Sequence, residues 1–256
     1  GLSLGCGPTG SGKTTTLHSL IRDINTENRK IWTAEDPIEI TQEGLRQVQM
    51  NPRIGWTFAN AMRTFLRADP DVIMIGEMRD EETARIAIEA SLTGHLVLAT
   101  LHTNSAPESI ARLLEIGLDP FNFSDSLLGI LAQRLVRRLC PKCVEQRPAS
   151  GEEVQALAHH YFESSEQHYG DREVVALIER WRQDYGRPDA SGQRRLYTHV
   201  RHGCDECEQR GYKGRMGIYE LMLSDDQVRH QIRQRASAGE IRHSALAAGM
   251  QTLRQD

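Results

Sequence analysis

No stretch of this 256-residue chain approaches the ~20 consecutive apolar residues a helix needs to cross a bilayer, so any membrane contact must be peripheral or through a partner. Positive charge is not in excess: Lys and Arg number 31 against 35 Asp and Glu, a formal net charge of −4. Aromatics make up only 5%, and no basic, aromatic stripe is present, which argues against a general polyanion binder or a nucleic-acid motor. Heptads, repeats and low-complexity tracts are absent, leaving room for one α/β core and a smaller appendage. An initiator Met is lacking too. The chain opens Gly1-Leu2-Ser3-Leu4, inside what reads as a strand, so the expectation is a fragment whose upstream domain lies outside it.

The first feature that is present starts at residue 7. Gly7-Pro8-Thr9-Gly10-Ser11-Gly12-Lys13-Thr14 fits the phosphate-binding pattern G-x-x-x-x-G-K-[ST]. Glycines at 7, 10 and 12 remove the Cβ atoms that would stop backbone N–H groups turning inward around phosphate oxygens. Lys13 then reaches the β- and γ-phosphates, Thr14 holds Mg²⁺, and the cradle runs on through Thr15. Leu17, Leu20, Ile21 and Ile24 follow at helical spacing, so the loop opens a helix whose dipole favours anions.

Three strand ends supply polar groups to the same region. Lys30–Ala34 reads as a buried strand ending in Glu35-Asp36-Pro37-Ile38-Glu39, and ligands of open parallel sheets bind beyond such ends. These carboxylates either hold Mg²⁺ through water and orient an attacking water, or form a solvated acidic turn. A helix over Phe58–Leu66 puts Arg63 and Arg67 on one face. Val72–Ile75 is a continuous apolar run suited to a buried parallel strand, and it ends at Gly76-Glu77-Met78-Arg79-Asp80. An acid at such a tip, in a chain with a phosphate loop, is the Walker B arrangement. Glu77 would polarise the attacking water, and Arg79 would neutralise charge on the phosphoryl oxygens. Asp80 caps a helix over 81–91. His95–Leu101 is a fourth strand, delivering His102-Thr103-Asn104 to the same sheet edge.

Four of the five cysteines form two knuckles, Cys140-Pro141-Lys142-Cys143 and Cys204-Asp205-Glu206-Cys207, suited to tetrahedral thiolate zinc. Four protein ligands leave no open position, so the metal would be structural. The 60-residue spacer is longer than in compact four-cysteine sites, and two unoccupied thiol pairs or a redox switch are the alternatives. His202 is a conceivable substitute ligand, and Cys6 is a small buried residue. Between the knuckles, residues 144–203 are polar, with helices near 152–162 and 172–184. Their apolar stripes are Val154, Leu157, Ala158, Tyr161 and Val174, Leu177, Ile178, Trp181, followed by a loop over 186–193. Residues 224–250 read as two short helices packing back on the core.

The ordered set Gly7–Thr14, Thr33–Glu39, Asp71–Asp80 and Thr93–Asn104 closely resembles the Walker A, Asp box, Walker B and His box of the type II secretion and type IV pilus assembly ATPases, the GspE/PilB-like traffic ATPases. The likeness covers about residues 1–143 and 204–223, and 144–203 departs from it. It implies an α/β fold of RecA-like P-loop NTPase type, with a parallel sheet flanked by helices, a small zinc-binding insertion and C-terminal helices. On this reading residues 1–138 are the ATPase core, 139–210 the zinc subdomain and 211–256 a C-terminal strand and helices. The resemblance further implies that Lys13 and Thr14 take phosphate and Mg²⁺ and that Glu77 is the catalytic glutamate. Glu35, Asp36 and Glu39 would form the Asp box, His102 would sense the γ-phosphate, and Arg63, Arg67, Arg79 and Arg215 would serve the nucleotide site.

Such enzymes are ATP-driven homohexameric rings, cytoplasmic but docked to an inner-membrane platform protein. They touch the membrane only through partners, bind no nucleic acid, and push pilin-like subunits outward. The four cysteines favour assembly or export over retraction ATPases of the same superfamily, which lack them. Retraction, and a nucleotide-regulated scaffold without hydrolysis, are the alternatives. Weak hydrolysis is expected of the isolated fragment.

Overall fold

A computed structural model describes residues 1–163, 169–189 and 191–256, so Ala190 of the expected 186–193 loop and residues 164–168 of the 144–203 segment lie outside the described residues. The chain divides into two compact units, Gly1–Arg134 with Ile218–Leu253, and Leu135–Gly217 with Arg254–Asp256.

In the first unit, short apolar runs alternate with periodic segments. β1 (Leu2–Cys6) leads through the Gly-rich loop into α1 (Lys13–Ile24). Then follow β2 (Ile31–Glu35), β3 (Leu45–Gln49), α2 (Phe58–Phe65), β4 (Val72–Ile75), α3 (Glu81–Leu92), β5 (Leu96–Leu101), α4 (Ala106–Glu115), α5 (Pro120–Ser126) and β6 (Leu127–Leu139). Local chemistry sets the helix starts: the side chains of Thr57, Asp80, Ser105 and Asp119 accept backbone N–H bonds in the first turns of α2, α3, α4 and α5. The chain continues through β7 (Glu145–Pro148), α6 (Gly151–Glu163), α7 (Asp171–Tyr185), β8 (Arg187–Pro188), β9 (Arg194–Arg195), β10 (Tyr197–Val200) and β11 (Tyr212–Leu223) to α8 (Asp226–Arg233) and α9 (Ala238–Ala247).

Seven strands form one sheet in the order β11-β6-β1-β5-β4-β2-β3. The pairs β1–β5, β1–β6, β4–β5, β2–β4 and β2–β3 are all parallel, so the ends of β1, β5, β4 and β2 that carry the sequence motifs open at one edge. One strand, β5, separates β1, which feeds the phosphate loop, from β4, which leads to Glu77; this is the RecA-like order. All four residues of β4 are buried, because alternate side chains enter two different clusters. Val72 and Met74 pack with Ile31, Leu98 and the α1 residues Leu17 and Ile21. Ile73 and Ile75 join Met62 and Phe65 of α2, Ile110 and Leu113 of α4, and Phe123. Val228 and Ile232 of α8 and Ile241 and Ala245 of α9 complete that larger cluster.

Within the second unit, α6 and α7 bury Val154, Ala158, Val174, Leu177 and Ile178 against each other, with Tyr161 and Trp181 edge to face at 5.6 Å. Leu157 does not join this stripe as expected: it is 59% exposed. A two-helix contact covers only a narrow seam, here positions 154 and 158, one turn apart, and leaves 157 at its rim. Where the sequence suggested only a loop, Arg187 and Pro188 pair with Arg195 and Arg194 in a short antiparallel ladder. No helix among the described residues is long and apolar enough to cross a membrane.

Ile232 is fully buried, so Ile232→Ala is expected to cost about 2–5 kcal/mol in urea unfolding. An unchanged midpoint would show that α8 is not part of the core.

Candidate functional site

The loop between β1 and α1 is shaped by backbone rather than side chains. At Gly7, where φ is +149°, a Cβ would come within 2.4 Å of the Gln133 carbonyl oxygen and 2.7 Å of Ser11 Oγ, so only glycine fits. Gly12, in the left-handed region, precedes α1, which has no side-chain cap and no acidic residue in its first turn. Such a helix start offers its N–H groups to an anion. Ser11 Oγ is buried at the loop without a hydrogen-bond partner, so it is open to a ligand oxygen there. Lys13 Nζ donates to the carbonyls of Gly7 at 2.7 Å and Pro8 at 3.1 Å, so its amine lies over the loop. Burial lowers the Lys13 pKa, while the Glu77 carboxylate opposes that shift. Pro8, Thr9, Gly10 and Thr15 are exposed and Thr14 is half-buried. This cradle fits a nucleotide polyphosphate with Mg²⁺.

The tips of β2, β4 and β5 are stitched together beside it. Gly76 N–H donates to Ala34 O at 2.7 Å, Met78 N–H to Thr100 O at 2.9 Å, and Thr100 Oγ1 to Gly76 O at 2.5 Å. Held between these bonds, Glu77 is mostly buried and pairs through Oε2 with Arg79 and through Oε1 with His102 Nε2 at 3.1 Å. Burial pushes its carboxyl up, but the Arg79 guanidinium and His102 hold it below the usual carboxylate range. Glu77 is thus an anion whose field reaches Lys13. The Asp36 carboxylate adds to the field at Arg79.

The three carboxylates expected as one Asp-box group are separated. Asp36 and Glu39 are exposed, whereas Glu35 is 2% exposed and turned inward. Its Oε1 accepts from Thr33 Oγ1 at 2.7 Å and Gln47 Nε2 at 2.9 Å, and its Oε2 meets His18 Nε2 at 3.0 Å. Both oxygens are used, tying the tip of β2 to α1 and β3. His18, on α1, is its buried counterion. The Gln42 amide donates to the His18 carbonyl, which turns Gln42 Oε1 toward His18 Nδ1 at 3.0 Å. Both ring nitrogens face acceptors, and only an imidazolium donates from both. The bond to Glu35 accordingly raises the His18 pKa against burial, while hydrogen bonds from His18, Gln47 and Thr33 outweigh burial to lower that of Glu35.

The arginines divide. Arg79 is in the cluster. Arg63 pairs with Glu82 of α3, Arg67 is exposed at the end of α2, and no hydrogen bond or ion pair joins either to the phosphate loop or Glu77. Arg215 is exposed on β11 and belongs to the second unit. Sequence reasoning missed His18 and Gln133. His18 lies on the predicted helix four residues after Thr14, which was its available signal; Gln133 has none in its local sequence.

In the second unit, the Sγ atoms of Cys140, Cys143, Cys204 and Cys207 all lie within 4.8 Å of one another, and no disulfide joins them. Separations are 3.9 Å for Cys140–Cys204, 3.8 Å for Cys143–Cys207 and 3.7 Å for Cys204–Cys207. A tetrahedron with Zn–S bonds of ~2.3 Å has edges of about 3.8 Å, so the donor set fits zinc. Backbone N–H groups of Cys204 and Gly211 donate to Cys207 Sγ, as thiolate ligands require. His202 is not in the cluster: its ring pairs with Glu145 at 2.9 Å.

A phosphate loop on β1, an acid at the tip of β4 and one strand between them define a P-loop nucleotide-binding α/β domain of RecA-like type. Across residues 1–256 the chain matches the family described as type II/IV secretion system protein, and it belongs to that family. It is 46% identical, over 100% of its length, to the type IV pilus assembly ATPase PilB of Thermus thermophilus, spanning 26% of that protein. It is 45% identical, over 97% of its length, to type II secretion system protein E of Pseudomonas aeruginosa, spanning 43% of it. The chain thus spans less than half of these curated relatives. Residues 144–203, expected to depart from the family, fall inside the full-length match to PilB. Among solved structures, the pilus retraction motor PilT with bound ADP aligns with the whole chain at a TM-score of 0.61 and 29% identity, over 55% of its own length. The ATPase DotB of Legionella pneumophila, at a TM-score of 0.59 and 24% identity over 99% of this chain and 54% of its own, shows the fold alone.

His18 and Glu35 also make stability depend on pH. The raised His18 contributes fully below its ordinary value of 6.5 and is lost as pH climbs through its folded value; the lowered Glu35 contributes above 4.5 and is lost as pH falls through its own. His18→Ala is therefore expected to cost about 3–5 kcal/mol near pH 5.5 and less in alkaline solution. Equal losses in urea unfolding at both pH values would contradict a buried imidazolium.

Proposed function

We propose that this chain is the nucleotide-hydrolysing part of a type II secretion or type IV pilus assembly ATPase. The observation that carries the reading is the ionised Glu77, fixed by Arg79 and His102 at the strand tips, with its field on the loop lysine. Lys13 and the first N–H groups of α1 hold the β- and γ-phosphates, and the Ser11 hydroxyl completes their shell. Thr14, Asp36 and Glu39 would hold Mg²⁺, which when bound would neutralise phosphate charge. Glu77 orients a water and takes its proton as the water oxygen bonds to the γ-phosphorus and the bond to the bridging oxygen breaks, leaving ADP and phosphate. Arg79 keeps Glu77 ionised and would counter charge on the phosphoryl oxygens. His102 bonds the same carboxylate, so loss of the γ-phosphate is transmitted to the β5 tip. Arg63, Arg67 and Arg215 would serve the nucleotide site as the motif resemblance implies.

The relatives' names give pilus assembly and type II secretion; the setting we propose with them, as the motif resemblance implies, is a homohexameric ring at the cytoplasmic face of the inner membrane, docked on a platform protein and driving pilin-like subunits outward. Assembly or export fits better than retraction, since PilB and protein E relatives stand at 46% and 45% identity against 29% for PilT. The four cysteines would hold a structural Zn²⁺.

In the full-length protein carrying this chain, Glu77→Gln is expected to lower ATP turnover on the order of 10²-fold or more while MgATP binding changes little. Unchanged turnover would remove Glu77 from the chemistry. Arg79 is the chief influence lowering the Glu77 pKa against burial, so in Arg79→Ala the acid limb of the kcat profile should move to higher pH; an unmoved limb would separate Arg79 from Glu77 ionisation. Metal analysis is expected to find one zinc per chain, lost in Cys140→Ser, and its absence from the unaltered protein would refute the metal site.

A further inference from the structure

We infer that Gln133 of β6 is a positioning residue that holds the phosphate loop in its anion-binding shape, an inference that rests on the nucleotide site proposed above. The parallel register sets Leu131 beside Gly5 and Ala132 beside Cys6, so the next residue of β6 falls alongside the start of the loop. Its backbone carbonyl is the atom a Cβ on Gly7 would strike, and its side chain is 4% exposed. The amide spans the loop: Nε2 donates to Ser11 O at 2.7 Å, and Oε1 accepts from Thr16 Oγ1 in the first turn of α1 at 2.7 Å.

Backbone geometry explains why an amide is needed. A peptide group whose N–H turns toward a phosphate turns its carbonyl away, and a buried carbonyl requires a donor. Ser11 O is such an acceptor, and water is excluded from it. Gln133 supplies the donor, and the other end of the same amide takes the Thr16 hydroxyl, tying loop and helix start to one rigid strand. The Ser11 carbonyl only accepts, which fixes the amide orientation and excludes a carboxylate. The substitution Gln133→Glu would set two acceptors against each other and add negative charge beside the phosphates. Neither Gln133 nor Thr16 touches the reacting atoms; both act through the loop.

The test is the dissociation constant for MgADP, by calorimetry on the full-length protein, with the thermal midpoint measured without nucleotide. Gln133→Leu, which keeps the volume, is expected to weaken MgADP about tenfold, and Gln133→Glu by more. Thr16→Val, nearly isosteric and half-exposed, is expected to weaken it severalfold while leaving the midpoint in place. The double variant Thr16→Val with Gln133→Leu should bind no worse than Gln133→Leu alone, because the threonine acts through the amide. A Gln133→Leu protein that melts earlier yet binds MgADP normally would reduce Gln133 to packing and overturn the proposal. Should Gln133→Leu fail to fold, an unchanged dissociation constant in Thr16→Val overturns it equally. If the unaltered protein binds no MgADP, the nucleotide reading itself falls, an outcome distinct from failure of the latch.

Discussion

The constraint on which the rest depends is the conformation of six residues of backbone, Gly7–Gly12, closed on itself by the Ser11 N–H bond to Pro8 O at 3.2 Å. An isolated chain does not hold such a shape, because every peptide group is amphoteric and prefers a partner of its own. Here the carbonyls are used from the protein side: Gly7 O and Pro8 O by Lys13, and Ser11 O by Gln133. The donor side has no side-chain cap and includes a buried Ser11 hydroxyl without a partner. The uncapped start of α1 and the Ser11 hydroxyl are the polar groups the fold leaves open at the loop.

Around that loop, the parallel sheet acts as an alignment device. Because β5 sits between β1 and β4, the tip carrying Glu77 stands one strand away from the loop, and His102 from the intervening strand closes on it. Bonds from Gly76, Met78 and Thr100 hold these tips in register, so the carboxylate is placed by backbone rather than by a flexible loop. A second charged pair lies deeper. His18 and Glu35 tie the helix that begins at the loop to the strand that ends at Asp36. The two carboxylates differ in burial: each has both oxygens paired, but Glu77 keeps part of its surface open, whereas Glu35 is 2% exposed.

Much of this was legible in the sequence where one local pattern carried the information. The phosphate loop, the apolar β4 run ending in an acid, the Asp80 cap and the C-x-x-C pairs each depend on neighbours in the chain, and each is where local rules place it. The α6 and α7 helices were likewise visible from their stripes, although the stripe on α6 was read too wide at Leu157, since nothing in one helix says how broad its partner is. What was hidden depends on pairing at a distance. Gln133 lies 122 residues from Ser11 and reaches it only because β6 pairs with β1. Glu35 shared a motif with Asp36 and Glu39, and only its contact with His18, 17 residues away, reveals that it faces inward. Strand alternation carries that distinction in principle: Glu35 continues the buried run of β2, and Asp36 follows the strand end.

The convergence of loop and strand tips on one triphosphate is tested most directly by a crystal structure with a non-hydrolysable ATP analogue and Mg²⁺. The terminal phosphate should lie within hydrogen-bond reach of Lys13 Nζ, Ser11 Oγ should gain a phosphate partner, and Glu77 should face the γ-phosphorus across a single water. A triphosphate seated elsewhere, with Ser11 Oγ still unpartnered and Glu77 remote from the γ-phosphate, would contradict it.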